Sequence, residues 1–305
     1  MSQELLTAQE AAELLKIKKA TVYEMVKRGE LPAVKIGKQV RIARQTLELK
    51  LQPGNAKPEP APGPSKAEVP SVNGIVLCGQ DSCLNIIANH VSARPGASPV
   101  LRSYAGSYTS LNLLYQGKVD IATAHLWDAT SGSYNVPFIT RLLPGIPVVV
   151  VRLLGRNMGL YVRYGNPKGI TGIENLRDES ITMVNRERGS GTRILLDEKL
   201  KLLRIDRSKV QGYSREYNNH LSIAGAVARG EADIGLGVEM AALQVDGVEF
   251  IPLQKEWYDL VFPVEREKEP TFQLMMEYLT GGGFKEEIAA TGRYDLSETG
   301  QVFRL

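Results

Sequence analysis

Residues 189–193, Gly-Ser-Gly-Thr-Arg, set two glycines, two hydroxyls and a guanidinium in five consecutive positions. Directly ahead of a predicted helix, this composition suits an anion. First-turn amides have no partner within a helix, the positive end of the dipole points outward, and glycine lets a ligand approach the backbone. Ser190, Gly191 and Thr192 are the candidate donors; Arg193 either pairs with charge or holds the surrounding structure together. A nucleotide P-loop is excluded by spacing, since no Gly-x-x-x-x-Gly-Lys-Ser/Thr occurs here. A nucleophile elbow is excluded too, because Arg188 stands where Gly-x-Ser-x-Gly needs its first glycine.

Ser82, Ser107 and Thr109 stand at other predicted helix starts, where a hydroxyl suits an N-cap as well as a ligand contact. Several such starts facing one cleft would make a site that no single one makes. His125 follows a predicted strand, with Trp127 and Asp128 nearby, and His220 follows Asn218 and Asn219 at a helix start. Each reads either as a structural histidine or as a ligand contact. Three histidines and the distant Cys78 and Cys83 form no metal-ion ligand set. The cysteine spacing is neither that of a zinc knuckle nor that of a redox pair, and both are expected reduced. No nucleophile–base pair and no cofactor motif is visible. The expectation is a binding protein, not an enzyme, that needs no cofactor.

The elements that would position these residues alternate from Asn73 onward. Strands are predicted at 74–79, 99–104 and 119–124, with helices at 82–92 and 107–116 between them. A second set follows, with strands at 180–185 and 232–237 and helices from 193 to about 204 and from 220 to about 229. Such alternation predicts an α/β body with parallel sheets covered on both faces, and ligands then bind outside the carboxyl ends of the strands. Gly-Lys-Val-Asp-Ile-Ala at 117–122 recurs as Gly-Glu-Ala-Asp-Ile-Gly at 230–235. The repeat implies two similar lobes, with the apolar stretches 146–163 and 257–264 as crossovers.

Ahead of the body lies a run that cannot fold into the core of either neighbour, head or body. Six of residues 53–70 are proline, and proline lacks the donor that helices and ladders need. This spacer reaches at most about 55 Å at roughly 3.1 Å per residue. The division expected is a head at 1–52, a spacer at 53–71 and a body at 72–305. The head carries ten Lys/Arg against six Glu, while the rest carries 27 basic and 28 acidic residues. A polyanion is the natural partner of the head. No basic region followed by an apolar run opens the chain, and no apolar stretch is long enough to span a bilayer. A cytoplasmic protein without a membrane partner is expected.

Within the head, Thr7-Ala-Gln-Glu10 has the form of a capping box for a first helix. A turn and a second helix from about Lys19 to Arg28 follow, and Gly29 stops it. Two short strands around Gly37-Lys38 then read as a wing, with a closing helix over 44–51. This pattern resembles the excisionase-like branch of the MerR-type winged helix-turn-helix domains over residues 5–51. The likeness rests on Thr7–Leu15, Thr21-Val-Tyr23, Gly29–Gly37 and Val40–Arg44. It implies binding to double-stranded DNA, with Lys18, Lys19, Thr21 and Tyr23 at the start of the recognition helix. Lys35, Lys38, Arg41 and Arg44 would contact phosphates.

The body resembles the type II periplasmic-binding-protein fold over roughly 75–280. More closely, it is similar to the binding-protein-like domain found beside excisionase-type heads or attached to molybdopterin-biosynthesis proteins. Gly117–Leu126, Tyr134–Pro137, Arg156–Tyr161, Gly165–Pro167, Val184–Arg193 and Glu256–Leu260 carry the likeness. It implies a ligand-responsive transcriptional regulator that senses a small oxyanion, with molybdate or tungstate as effector. Two alternatives stay open: an excisionase-like accessory DNA-binding protein, and a sensor of an organic ligand such as a molybdopterin-related metabolite. A homodimer is expected, since operator recognition favours two heads on one site.

Overall fold

The computed structural model describes residues 5–15, 19–27, 31, 34–36, 39–44 and 74–305. The chain divides into two compact units, Met1–Ser71 and Val72–Leu305. In the first, β1 (Leu5–Thr7) leads into α1 (Ala8–Leu15), then α2 (Lys19–Lys27), β2 (Val34–Ile36) and β3 (Gln39–Ala43). The capping box is present. Thr7 N donates to Glu10 Oε2 at 2.7 Å, and Glu10 N donates to Thr7 Oγ1 at 3.2 Å. Ala8, Ala11 and Ala12 keep α1 thin on its inner face, so Val22, Leu31 and Ile42 reach it and close a small core. The wing strands β2 and β3 pair antiparallel, and β1, which the sequence pattern did not predict, pairs with β3 on its other side. The expected closing helix beyond Arg44 and the spacer lie outside the described residues.

The second unit begins with β4 (Ile75–Cys78), α3 (Cys83–Ser92), β5 (Val100–Ser103), α4 (Ser107–Tyr115) and β6 (Ile121–Ala124). A small hairpin, β7 (Trp127–Asp128) and β8 (Ser133–Tyr134), and α5 (Val136–Leu142) precede the long strand β9 (Val148–Arg163). Then come β10 (Met183–Arg186), α6 (Gly191–Leu202), β11 (Glu216–Tyr217), α7 (His220–Ala228), β12 (Ile234–Val238) and α8 (Glu239–Ala242). A second long strand, β13 (Val248–Pro263), is followed by α9 (Pro270–Thr280), α10 (Gly283–Ala289) and β14 (Val302–Arg304).

The strand order β11-β10-β12-β9-β13-β6-β4-β5 is the same pattern read from both ends. In the first lobe β4 runs parallel to β5 and β6, and β6 meets β13 antiparallel. In the second, β10 runs parallel to β11 and β12, and β12 meets β9 antiparallel. The repeated hexapeptide explains the correspondence locally. Gly117 (φ 64°) and Gly230 (φ 72°) take the left-handed turn that ends α4 and α7, where glycine carries no steric cost. Asp120 then accepts from Val76 N at 2.6 Å, and Asp233 accepts from Thr182 N at 2.9 Å. In each lobe the aspartate pins a new strand to its parallel neighbour.

β9 and β13 pair along their whole length and pass through both lobes. The first crossover follows the apolar run predicted at 146–163. The second starts at Val248, nine residues before the predicted 257, because Val248–Lys255 is only partly buried and its apolar residues are interrupted by polar ones. The first lobe buries one cluster on each face of its sheet, around Leu77, Phe262 and Phe272, and around Leu111, Ile139 and Val150. The second lobe packs around Leu160, Ile223 and Ile234.

Candidate functional site

Among the described residues, a cavity of about 290 Å³ lies between the lobes, at the carboxyl ends of their strands. Three of the longer helices begin on its wall, as does the short α8 after Val238. Ser82 precedes α3, Gly106 and Ser107 begin α4, and Asn219 and His220 begin α7 from the opposite lobe. One first-turn amide of each of these three is already taken, Cys83 N by Asp81 Oδ1 at 2.8 Å, Tyr108 N by Gly189 O at 3.0 Å and Ser222 N by Asn219 Oδ1 at 2.8 Å, and the positive ends of the three dipoles face one space.

The floor is a buried charged network on the hinge. Arg156, on β9, places Nη1 2.5 Å from Asp81 Oδ2, and its Nη2 lies 2.5 Å from Glu256 Oε1, off the angle of a hydrogen bond. The other oxygen of Glu256 meets His125 Nδ1 at 3.0 Å. Tyr258 stacks beneath Arg156, 4.5 Å from ring centre to guanidinium, and shares a 2.8 Å hydrogen bond with Thr123. Burial, the largest influence, would raise the Asp81 and Glu256 carboxyls, but the Arg156 guanidinium together with the Cys83 hydrogen bond to Asp81 and His125 beside Glu256 outweighs it, and both sit below their ordinary range. Arg156 Nε is buried without a partner.

His220 faces the cavity from the second lobe. Arg186 Nη1 lies 3.1 Å from its Nε2, and a guanidinium can only donate, so Nε2 accepts and the ring proton belongs on Nδ1. That Nδ1 is buried with no hydrogen-bond partner. Burial, with Arg186, Arg156 and His125 close by, drives His220 well below the usual imidazole value, so it is neutral at pH 7.

The lobes meet over this cavity. Tyr108 N donates to Gly189 O at 3.0 Å, Arg186 Nη2 donates to Gln80 Oε1 at 2.5 Å, and Gln80 Nε2 donates to Glu187 at 3.2 Å. The contacts are backbone-close. A Cβ on Gly106 would lie 2.5 Å from Ser190 Cα, and one on Gly191 would lie 2.6 Å from the His125 ring.

Of the residues expected in the site, Ser82, Ser107, His125 and His220 line the cavity. Ser107 Oγ accepts from His125 N at 3.1 Å, which joins two of them. Thr109 lies on an adjoining depression at the cleft mouth, together with Arg188. Ser190, Gly191, Thr192 and Arg193 are not on the cavity wall. Ser190 caps α6 by accepting from Arg193 N, and Gly191 is pressed against His125. Thr192 Oγ1 is buried without a partner. Arg193 donates to Arg186 O at 3.0 Å, pairs with Glu216 at 3.2 Å and covers the Tyr213 ring, which is the structural role among its two readings. The glycines meant for a ligand instead let the opposite lobe approach.

Sequence reasoning placed Gln80 and Asp81 at a strand end, where ligands bind, without naming them as site residues, and it missed Arg156, Glu256, Tyr258 and Tyr294. A signal existed for two of them. A charged residue inside a run that reads as a buried strand must find a partner, and Arg156 and Glu256 both stand in or beside such runs.

In the head, Lys19 and Thr21 are exposed on the first turn of α2, and Tyr23 is 44% exposed one position further along that helix after Val22. Arg41 lies half-buried on β3, Arg44 is exposed just past it, and Lys35 belongs to β2. Lys18 and Lys38 lie outside the described residues.

The family description "PBP superfamily domain" matches residues 88–280, and "Helix-turn-helix domain" matches residues 5–49. A Bacillus subtilis (strain 168) protein, YvgK, is 37% identical over 301 residues, covering 97% of this chain and 96% of its own. Two solved structures share the fold of the body. A phosphate ABC transporter substrate-binding protein from Clostridium perfringens, solved with bound phosphate, has a TM-score of 0.53 at 16% identity and covers 73% of this chain and 99% of its own. The regulatory domain of CcmR from Synechocystis PCC6803, in complex with 2-PG, has a TM-score of 0.50 at 15% identity and covers 67% and 95%.

Proposed function

The chain belongs to the PBP superfamily and carries a helix-turn-helix domain ahead of that fold, and from this premise we propose that it is a transcriptional regulator whose DNA binding answers to a small anion. One observation carries the ligand class: three helix starts, drawn from both lobes, open on one cavity to which Gln80, Ser82, Ser107, Asn219 and His220 bring polar groups. An anion taken out of water needs many fixed donors, and helix-start amides with hydroxyls supply them. Ser82, Ser107, Tyr258, Tyr294 and the neutral His220 surround the space, and Arg156 stands at its floor. Molybdate or tungstate is the first effector to test. The phosphate of the Clostridium perfringens protein and the 2-PG of CcmR support the anion class.

A second reading, an organic anion, is favoured by size. About 290 Å³ is more than one four-oxygen anion fills, and it approaches the volume of pockets for larger ligands. For the head, Lys18, Lys19, Thr21 and Tyr23 are proposed to approach bases and phosphates, and Lys35, Lys38, Arg41 and Arg44 to hold the backbone of double-stranded DNA. The working assembly is a homodimer that places two heads on one operator.

Thermal melting of the full chain with a panel of oxyanions and organic anions tests the ligand class. A ligand at a hundred times its Kd should add about 2.7 kcal/mol, a rise of roughly 5–11 °C for a body of this size. If no anion moves the melt while a neutral or cationic metabolite does, the anion reading fails.

A further inference from the structure

The family match ends at residue 280, yet the cavity is not complete without residues beyond that point. After α10 the chain turns through Gly292 (φ 70°) and Arg293 (φ 64°), and the second of these is a left-handed conformation at a residue with a side chain. Such a conformation persists only where the surroundings hold it. Here they do. Asp295 N donates to Gly155 O at 2.9 Å, and Gly155 N donates to Asp295 O at 2.7 Å, so the segment is bonded to β9 one residue before Arg156. Further on, Thr299 Oγ1 donates to Leu153 O at 2.8 Å and Gly300 N to Arg152 O at 2.9 Å before β14 pairs with β9. The segment therefore lies along the crossover strand from the hinge into the first lobe.

Its leading end touches both lobes. Arg293 Nη1 lies 3.1 Å from Glu239 Oε1, at the start of α8 in the second lobe. Tyr294 turns the other way, lines the cavity, and holds its hydroxyl 3.4 Å from Asp81 Oδ1 in the first. Resting on the reading of this cavity as the ligand site, we propose that residues 293–304 are a strap across the hinge and that Tyr294 is a specificity-determining residue contacting the ligand. Tyr294 lines the same cavity as Arg156 and the α7 start, so its hydroxyl meets whatever part of the ligand extends past the helix-start donors. The phenol ring sets how large that part can be.

Calorimetric titration of the full chain, wild type, Tyr294→Phe and Tyr294→Ala, with sodium molybdate, inorganic phosphate and phosphoglycolate tests this. The hydroxyl is expected to contribute a five- to tenfold change in Kd for the tightest of the three. Removing the ring is expected to change the ratio of affinities between the smallest and the largest. Equal ratios in all three proteins, with only a lower melting temperature in the variants, would reduce the strap to a structural part and overturn the assignment. A wild type that binds none of the three overturns the ligand reading itself and the assignment with it. The two failures are thus told apart by the wild-type titration.

Discussion

Arg156 is shared by two buried carboxylates, Asp81 from the first lobe and Glu256 from the crossover β13. Burial of charge at this density is tolerated because each group has a partner within the network, and a single deletion would leave the others exposed to the full desolvation cost. His220 faces the same cavity with the opposite strategy, remaining neutral. Its lowered value has a measurable consequence. Below pH 6.5 the unfolded chain takes up a proton that the folded His220 refuses, so stability falls as pH drops from there towards the folded value. The depressed Asp81 and Glu256 add a second loss only at lower pH, below the ordinary carboxylate range, as their folded values are passed. Chemical denaturation of wild type and His220→Gln between pH 7 and pH 5 is expected to show a decline in the wild type that is flatter in the variant. Parallel declines would mean that His220 does not titrate in this way.

At the scale of elements, helix starts from opposite lobes pack against one another, and glycine is what permits it. Gly106 has φ −69° and ψ 161°, a conformation open to any residue, so an alanine there is opposed only by the neighbouring lobe. Its Cβ would lie 2.5 Å from Ser190 Cα and 2.6 Å from Gly189 O, and backbone cannot step aside as a side-chain tip can. Gly106→Ala is expected to leave each lobe folded, hold the lobes apart and weaken ligand binding at least tenfold, about 1.4 kcal/mol. Calorimetry paired with small-angle scattering would check it, and an unchanged affinity would show that binding does not require this closure. The same contact explains where sequence reading stopped. Strands β4, β5, β6, β10 and β12 were legible because their apolar runs are bounded by turns, and the 117–122 and 230–235 repeat disclosed the two lobes. Helix starts were legible as well. What each start faces depends on packing between residues far apart in the chain, so Gly189–Arg193 read as a donor cluster although its Gly189–Gly191 backbone packs on the opposite lobe and Arg193 pairs within its own. The Asp81–Arg156–Glu256 network was hidden for the same reason, its members being 75 and 100 residues apart.

The molecule as a whole joins a basic helix-turn-helix domain to a two-lobed PBP-like domain through a proline-rich run. In the proposed homodimer, ligand state would reach DNA through the geometry with which two bodies present two heads. Linkage makes the claim quantitative. If ligand alters the affinity for DNA by some factor, DNA must alter the affinity for ligand by the same factor. The most direct test is the fluorescence anisotropy of labelled duplex DNA from upstream of the chain's own coding sequence. The full-length protein is titrated onto it with and without the anion found to raise the melting temperature. The expected result is a shift in DNA affinity of at least about fivefold, roughly 1 kcal/mol, matched by the reciprocal shift in ligand affinity. Identical DNA affinity with the cavity empty and saturated would contradict regulation by this ligand.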